Sequence, residues 1–506
     1  MKGFLQHLSG LSGIVRIRES AAKHKACAIT GCTPSFRTAV LAATCEELDR
    51  PALVVCPSEG EAEKFAVDLR QFMDDVFVLP ARELILTASG VSSHEYEREA
   101  LGVLDAVRCK KAKAVIGTAE AFTRHTVPPD VLASRLIELK TGMTIAPNDL
   151  AQRLVKAGYV RVDPVEAKGQ FCLRGGIADV YPSNSENPLR IEFFGDEIER
   201  MAFFDADSQR RTSKAERIHI VPANEIFPDD PEQFIKDLES FCSGLHTKNA
   251  GDYRNKTESD LAALREGRRI NYDRYYNLIH KKPATIFDYL KDPVCAVSDF
   301  ARTAEAGNGF EKRWLGELTS ALEEGFCAKG ADEFYESIEV LFQRVSESGG
   351  LFFDNFAKTA LSDRVQDIVA FDCRSNAVWN GSPDTLNEWL SDVSEGGFTP
   401  LILVPTKRAA KALIDDLTNS GRPCLLYDLA EPFQGDTTHV AIGALSGGFE
   451  LPKLKFSLLT STPPRTVKTT VKRANAIGSI SELKPGSYVV HQAHGIGLYN
   501  GVETIT

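Results

Sequence analysis

The rhythm of hydrophobic and polar positions changes several times along the chain, and each change marks a segment. Over the first 120 residues, short apolar runs ("KACAIT", "PALVVCPS", "VFVLP", "KAVIGT") alternate with stretches of helical period. The helical stretches begin near Arg37, at "EAEKFAVDLRQFM" and near 94–110. That alternation predicts right-handed βαβ units on a parallel sheet over 1–127. From 128 to 217 the texture becomes strand after strand, with "FGDE" supplying the turn of a hairpin in "PLRIEFFGDEIERMAFFDAD". This segment reads as a separate β-rich domain inserted into the α/β unit. Segment 218–348 returns to helices around one apolar run, "DPVCAVSDF", and completes that unit. Segment 349–460 repeats the α/β pattern with "PLILVP", "TKRAAKALIDDLTNSG", "PCLLYD", "THVAIGA" and "KFSLLT". A linker over 461–480 leads to a Gly-punctuated β segment at 481–506, "LKPGSYVVHQAHGIGLYNGVETIT", too short to close a barrel and so expected to be incomplete. The fold class is therefore α/β multidomain, with a β-rich insertion and a second α/β domain.

Composition narrows the function classes. A chain of 506 residues with 43% hydrophobic content can bury several cores. A net charge of −11 argues against a large non-specific DNA face, which needs clustered Lys and Arg, and favours a protein partner. The stretch 451–475 holds six Lys or Arg and no acid, and its Pro463-Pro464 and Thr-rich composition, past "KFSLLT", reads as an extended, solvated tether. Eleven cysteines without a C-x-x-C pair suit reduced, mostly buried thiols. No apolar run reaches the roughly 20 residues that span a bilayer, so the expectation is a cytoplasmic protein with no membrane partner.

The stretch "ITGCTPSFRTAVLAAT" has the outline of a phosphate-binding loop, G-x-x-x-x-G-K-[ST]. Gly31 and Thr38 are in register, but Phe36 replaces the second glycine and Arg37 replaces the lysine. Pro34 removes a backbone donor. The expectation is a strand-to-helix turn, capped by Thr33 or Ser35, that no longer binds nucleotide. The metal-holding acid of such enzymes would be Asp299 in "VCAVSDFART", yet Phe300 stands where a catalytic glutamate would follow. Elsewhere G-K-[ST] does not occur. No catalytic residue, metal or cofactor is expected.

With these residues in view, the chain resembles the N-terminal half of bacterial transcription-repair coupling factors, the Mfd family. The degenerate loop, "FCLRGGIADVYPSNSENPLRIEFFGDEIERMAFFDADSQR", "YYNLIHKKPATIFDYL" and "LKPGSYVVHQAHGIGLYNGVET" carry the likeness. The resemblance implies a UvrB-like module on a degenerate P-loop (RecA/helicase-like) core, a following α/β domain, and the start of an SH3-like, CarD-related RNA-polymerase-interacting domain. It also implies that ATP and Mg belong to a translocase outside these residues. The implied partners are UvrA, docked on the inserted domain by Arg174, Arg190 and Phe194, and the RNA polymerase β subunit through the complete C-terminal domain. Contact with DNA through this part would be weak. The chemistry of those three residues is apt without the family, since Arg and exposed aromatics dominate interface hot spots. The alternative is an active UvrB-type or helicase-type repair ATPase, against which Phe36, Arg37 and Phe300 count.

Three further patterns carry less. His491 and His494 in "HQAHG" lie three apart, which puts them on opposite faces of a strand and argues against a metal pair. Tyr272, Tyr275 and Tyr276 in "RRINYDRYYNLIHKK" have helical spacing and read as core or an interdomain seam. "SHEYERE" reads as an acidic helix start.

Overall fold

The computed structural model describes residues 2–82, 84, 86, 94–268, 270–354, 363–428, 437–461, 487–491 and 495–499. Strands β1 (Cys27–Thr30), β2 (Ala52–Cys56), β3 (Val76–Val78) and β4 (Ala114–Thr118) come first, separated by helices Pro34–Leu48, Glu59–Leu69 and Glu95–Arg108. The chain then leaves along β5 (Ile137–Lys140) and builds β6 (Val160–Arg161), β7 (Gln170–Arg174), β8 (Ile177–Val180), β9 (Leu189–Phe194), β10 (Glu197–Phe204) and β11 (Arg211–Ala215). It returns along β12 (Arg217–Ile220), antiparallel to β5. Strands β13 (Val294–Val297), β14 (Leu351–Phe353) and β15 (Asp367–Ala370) re-enter the first sheet. Its order is β15-β1-β14-β13-β2-β4-β3, and every pairing in it is parallel.

That topology moves one expected boundary. The second α/β domain was expected to open at 349, yet β14 and β15 flank β1 on its two sides and complete the first sheet. Three- and four-residue strands carry too little periodicity to say which sheet they join; pairing with β1 decides it.

A parallel sheet buries both faces, and this one separates two apolar layers. Along β2 the side chains alternate between them: Ala52, Val54 and Cys56 face one layer, and Leu53 and Val55 the other. The insertion, by contrast, is a sheet of order β11-β10-β9-β8-β7-β6 with one buried face, as its alternating strands predicted. Gly195 turns the β9–β10 hairpin with φ +62, the left-handed conformation that glycine adopts without strain.

A second α/β unit follows: β16 (Arg374–Asn376), β17 (Thr399–Val404), β18 (Cys424–Leu426), β19 (Thr438–Ile442), β20 (Gly448–Leu451) and β21 (Phe456–Thr460), in the order β16-β20-β21-β17-β19-β18. Its core is continuous with one layer of the first unit, where Phe4 lies 5.9 Å from the ring of Phe449 and 5.0 Å from that of Phe456. β22 (Ser487–His491) and β23 (Gly495–Tyr499) pair as an antiparallel hairpin, a β unit where one was expected. His494, the linker 462–480 and the rest of 481–506 lie outside the described residues. All eleven cysteines are unpaired. Among the described residues no helix is long and apolar enough to cross a membrane.

A polar clip joins the two α/β units. Asp68, on helix Glu59–Leu69, is buried and accepts hydrogen bonds from the Ser446 backbone N–H at 2.7 Å and from the Ser446 hydroxyl at 2.5 Å. Burial pushes its carboxyl up to about 6 from an ordinary 3.8, although both Ser446 bonds pull the other way. The folded state therefore binds the proton more tightly than the unfolded chain, and this group's contribution to stability falls as pH rises from 3.8 to 6. Asp68→Asn is expected to raise stability at pH 7.5 by about 1–3 kcal/mol and to flatten the pH dependence between 4 and 6. Urea unfolding at several pH values checks this; a less stable variant at pH 7.5 would refute it.

Candidate functional site

The strand-to-helix turn after β1 is built as its residues suggested. Thr33 is the N-cap of helix Pro34–Leu48, accepting from Phe36 N–H at 3.4 Å, with Pro34 in the first turn. Gly31 has φ +71, and a Cβ there would collide with the Phe371 carbonyl. Phe36 is fully buried, its ring 5.4 Å from Phe371 and 5.3 Å from Phe449, so residues following β15 and in β20 close over the turn. Ser35 Oγ donates to the Gly447 carbonyl at 2.7 Å, and Thr38 Oγ1 to the Ser35 carbonyl at 2.7 Å. The buried Arg37 guanidinium donates to the Ser298 carbonyl, which brings this turn against the end of β13. There Asp299 caps helix Phe300–Glu323, accepting from Arg302 N–H at 3.2 Å. Phe300 is wedged between Phe342 and Phe352 at 5.3 and 5.5 Å. The Arg37 bond thus joins the turn over Gly31–Thr38 to the end of β13 next to Asp299, while Phe36 and Phe300 pack into opposite apolar layers of the sheet.

The inserted sheet has the opposite character. Register sets Arg174 opposite Ile177, Ile177 opposite Glu192, and Asp179 opposite Arg190. Side chains on directly paired residues share a face, and alternate residues of a strand share it too. Arg174, Ile177, Asp179, Arg190, Glu192 and Phe194 therefore project from the same face. The opposite face carries Leu189, Ile191 and Phe193, which pack into the domain core. Period-2 geometry thus resolves the Phe193-Phe194 pair: the first points inward, and the second is 80% exposed. Ile177, at 42% exposure, adds a second apolar group that the sequence reading passed over.

The two arginines differ in how they are held. Arg190 forks onto Asp179 with bonds of 2.7 and 2.8 Å, donates to Gln209 at 3.1 Å and lies over the Phe204 ring at 4.6 Å. Its orientation is fixed before any partner arrives. Arg174 pairs with Asp163 across an exposed surface, where such a pair holds a side chain only weakly.

A buried ionic cluster went unread in the sequence. "SHEYERE" does open helix Glu95–Arg108, with Glu95 and Glu97 in its first turn. Yet Glu97 points inward, accepting from the Glu225 backbone N–H at 2.7 Å and facing Arg82 at 3.4 Å. Arg82 also meets Asp273 at 2.5 Å and Glu225 at 3.4 Å, and Arg124 holds Glu225 at 2.8 and 3.0 Å. Thr126 Oγ1 and Val127 N–H donate to Glu225 as well. Burial opposes the charge on Glu97, but Arg82 and the bond from His94 outweigh it and take its carboxyl down to about 2. The five charged residues come from five separate stretches of chain, so no local pattern announces them. Tyr275 and Tyr276 are buried close by, as expected of a seam, the second donating to the Thr126 carbonyl at 2.8 Å.

Comparison with known proteins gives this arrangement a context. Residues 137–226, which take in the whole inserted sheet, match the family described as UvrB interaction domain. Residues 483–506 match the CarD-like/TRCF RID domain. The chain is 29% identical over 498 residues to a transcription-repair-coupling factor of Bacillus subtilis. It is 25% identical over 497 residues to one from Staphylococcus epidermidis and 24% over 498 to one from Staphylococcus aureus. Each alignment covers 94% of this chain and 42% of the relative, so the chain spans less than half the length of these proteins.

Proposed function

We propose, from a chain homologous over nearly its whole length to transcription-repair-coupling factors, that this protein recruits the damage-recognition ATPase UvrA during transcription-coupled nucleotide-excision repair. The observation that carries the reading is the face of the inserted sheet, where Phe194 stands exposed beside Arg174 and the preset Arg190 inside the region that matches a UvrB interaction domain. An exposed ring on a face that also carries two guanidinium groups suits a partner that offers an apolar pocket with carboxylates on its surface. The turn over Gly31–Thr38, with Asp299 and Phe300, is a degenerate P-loop that neither binds nor hydrolyses nucleotide. The active repair-ATPase reading is not favoured. The 483–506 segment, which matches a CarD-like/TRCF RID domain, serves engagement of the RNA polymerase β subunit.

Calorimetric titration of the 506-residue chain with purified UvrA tests the reading. Saturable binding at micromolar concentration or tighter is expected, with no ATP turnover by the chain alone. A folded chain that gives no binding heat would overturn the recruitment role. Turnover lost on Arg37→Ala would overturn the inactive nucleotide site.

A further inference from the structure

Where the inserted domain rejoins the α/β core, three side chains of metal-ligating type converge. Asp105 and Cys109 lie one turn apart at the end of helix Glu95–Arg108, and His219 lies on β12, the returning strand of the insertion. Their ligand atoms all fall within 4.8 Å of one another. His219 Nε2 is 2.7 Å from Asp105 Oδ2 and 3.8 Å from Cys109 Sγ, and Cys109 Sγ is 3.8 Å from Asp105 Oδ1. Neighbouring ligands around a tetrahedral zinc ion, with bonds of about 2.0 Å to N and O and about 2.3 Å to S, stand about 3.3–3.6 Å apart. Small side-chain rotations therefore separate a metal-free cluster from a coordinating one.

The same geometry argues against a nucleophilic triad. There, the imidazole uses one nitrogen for the nucleophile and the other for the carboxylate. Here a single nitrogen, Nε2, faces both the thiol and the carboxylate, which is the arrangement of three ligands around a common point. The carboxylate is oriented from outside the cluster by Asn184, whose amide donates to Asp105 Oδ2 at 2.9 Å and to the His219 carbonyl at 3.1 Å. Such outer partners are what hold metal ligands in place. Arg108 at present supplies the positive charge, donating to Asp105 Oδ1 at 2.6 Å and lying 3.2 Å from Cys109 Sγ; its partly exposed side chain can yield that place to an ion.

We infer that Asp105, Cys109 and His219 form a binding site for a borderline-soft divalent cation of the zinc type, with water as fourth ligand, which staples the inserted domain to the core. A thiolate and an imidazole select Zn or Co over Mg or Ca. Binding transfers the Cys109 thiol proton to solvent, takes His219 as the neutral imidazole and sets two ligand negative charges against the dication. The consequence goes beyond partner recruitment: an ion here would lock the angle at which the docking face is presented.

The test is titration of the reduced 506-residue chain with Co²⁺, read by its absorption spectrum, followed by competition with Zn²⁺. One ion per chain is expected, with a sulfur-to-cobalt charge-transfer band and the visible bands of tetrahedral cobalt, both bleached by Zn²⁺. Cys109→Ser should abolish the charge-transfer band. His219→Ala should abolish stoichiometric binding, circular dichroism confirming that both variants fold. A wild-type spectrum without a thiolate band, or a band that survives intact in Cys109→Ser, overturns the site.

Discussion

Arg124→Ala will destabilise the α/β core by about 3–5 kcal/mol, the cost of leaving a buried carboxylate without its main partner. Glu225 is fully buried and accepts two bonds from Arg124; with that guanidinium gone, Arg82 at 3.4 Å is the nearest cation. The double variant Arg124→Met/Glu225→Leu should recover much of the loss, because removing both charges also removes their desolvation cost. Urea unfolding followed by circular dichroism decides the point. A loss under about 1 kcal/mol for the single variant would mean that water reaches the cluster. The network also sets an acid limit. Glu97 has a folded-state value near 2 against an ordinary 4.5, so its contribution is fully present above pH 4.5 and is lost as pH falls through 2.

Phe194→Ala will weaken UvrA binding by about 2–4 kcal/mol, on the order of 30- to 1,000-fold, while leaving the fold intact. The ring is 80% exposed, so truncation removes almost no core contact and should change stability by no more than about 0.5 kcal/mol. That separation makes it the clearest probe of the docking face. Arg190→Ala is a mixed variant, because it also strips Asp179 of a two-bond partner; a stability loss of about 1–3 kcal/mol accompanies its binding defect. Arg174→Ala breaks only an exposed pair with Asp163, so its binding loss can be read directly. Binding unchanged in a folded Phe194→Ala chain would move the UvrA contact away from this face.

The strands β1, β2, β4, β9, β10, β13, β17 and β21 were all visible as apolar or alternating runs, as was the change from parallel α/β to an inserted sheet. The turn around Gly31 was legible because its spacing is local: Phe36 and Arg37 stand at fixed offsets from a strand and a helix start. The resemblance pointed to Phe194, and the sheet register leaves that ring exposed while Phe193 packs inward. The boundary at 349 failed for the converse reason, since β14 and β15 are too short for their pattern to name a sheet.

Local order along the chain determined the element types, the inserted sheet and the capped strand-to-helix turn after β1, because periodicity, capping and motif spacing act over a few residues. Tertiary structure alone decided which strands share the first sheet, that Phe371 and Phe449 close over Phe36, and that Asp68 clips the second α/β unit. It alone assembled Arg82, Glu97, Arg124, Glu225 and Asp273, and set Asp105 and Cys109 against His219. Those contacts join residues up to hundreds of positions apart, and charges so separated in sequence meet only once the chain has folded around them.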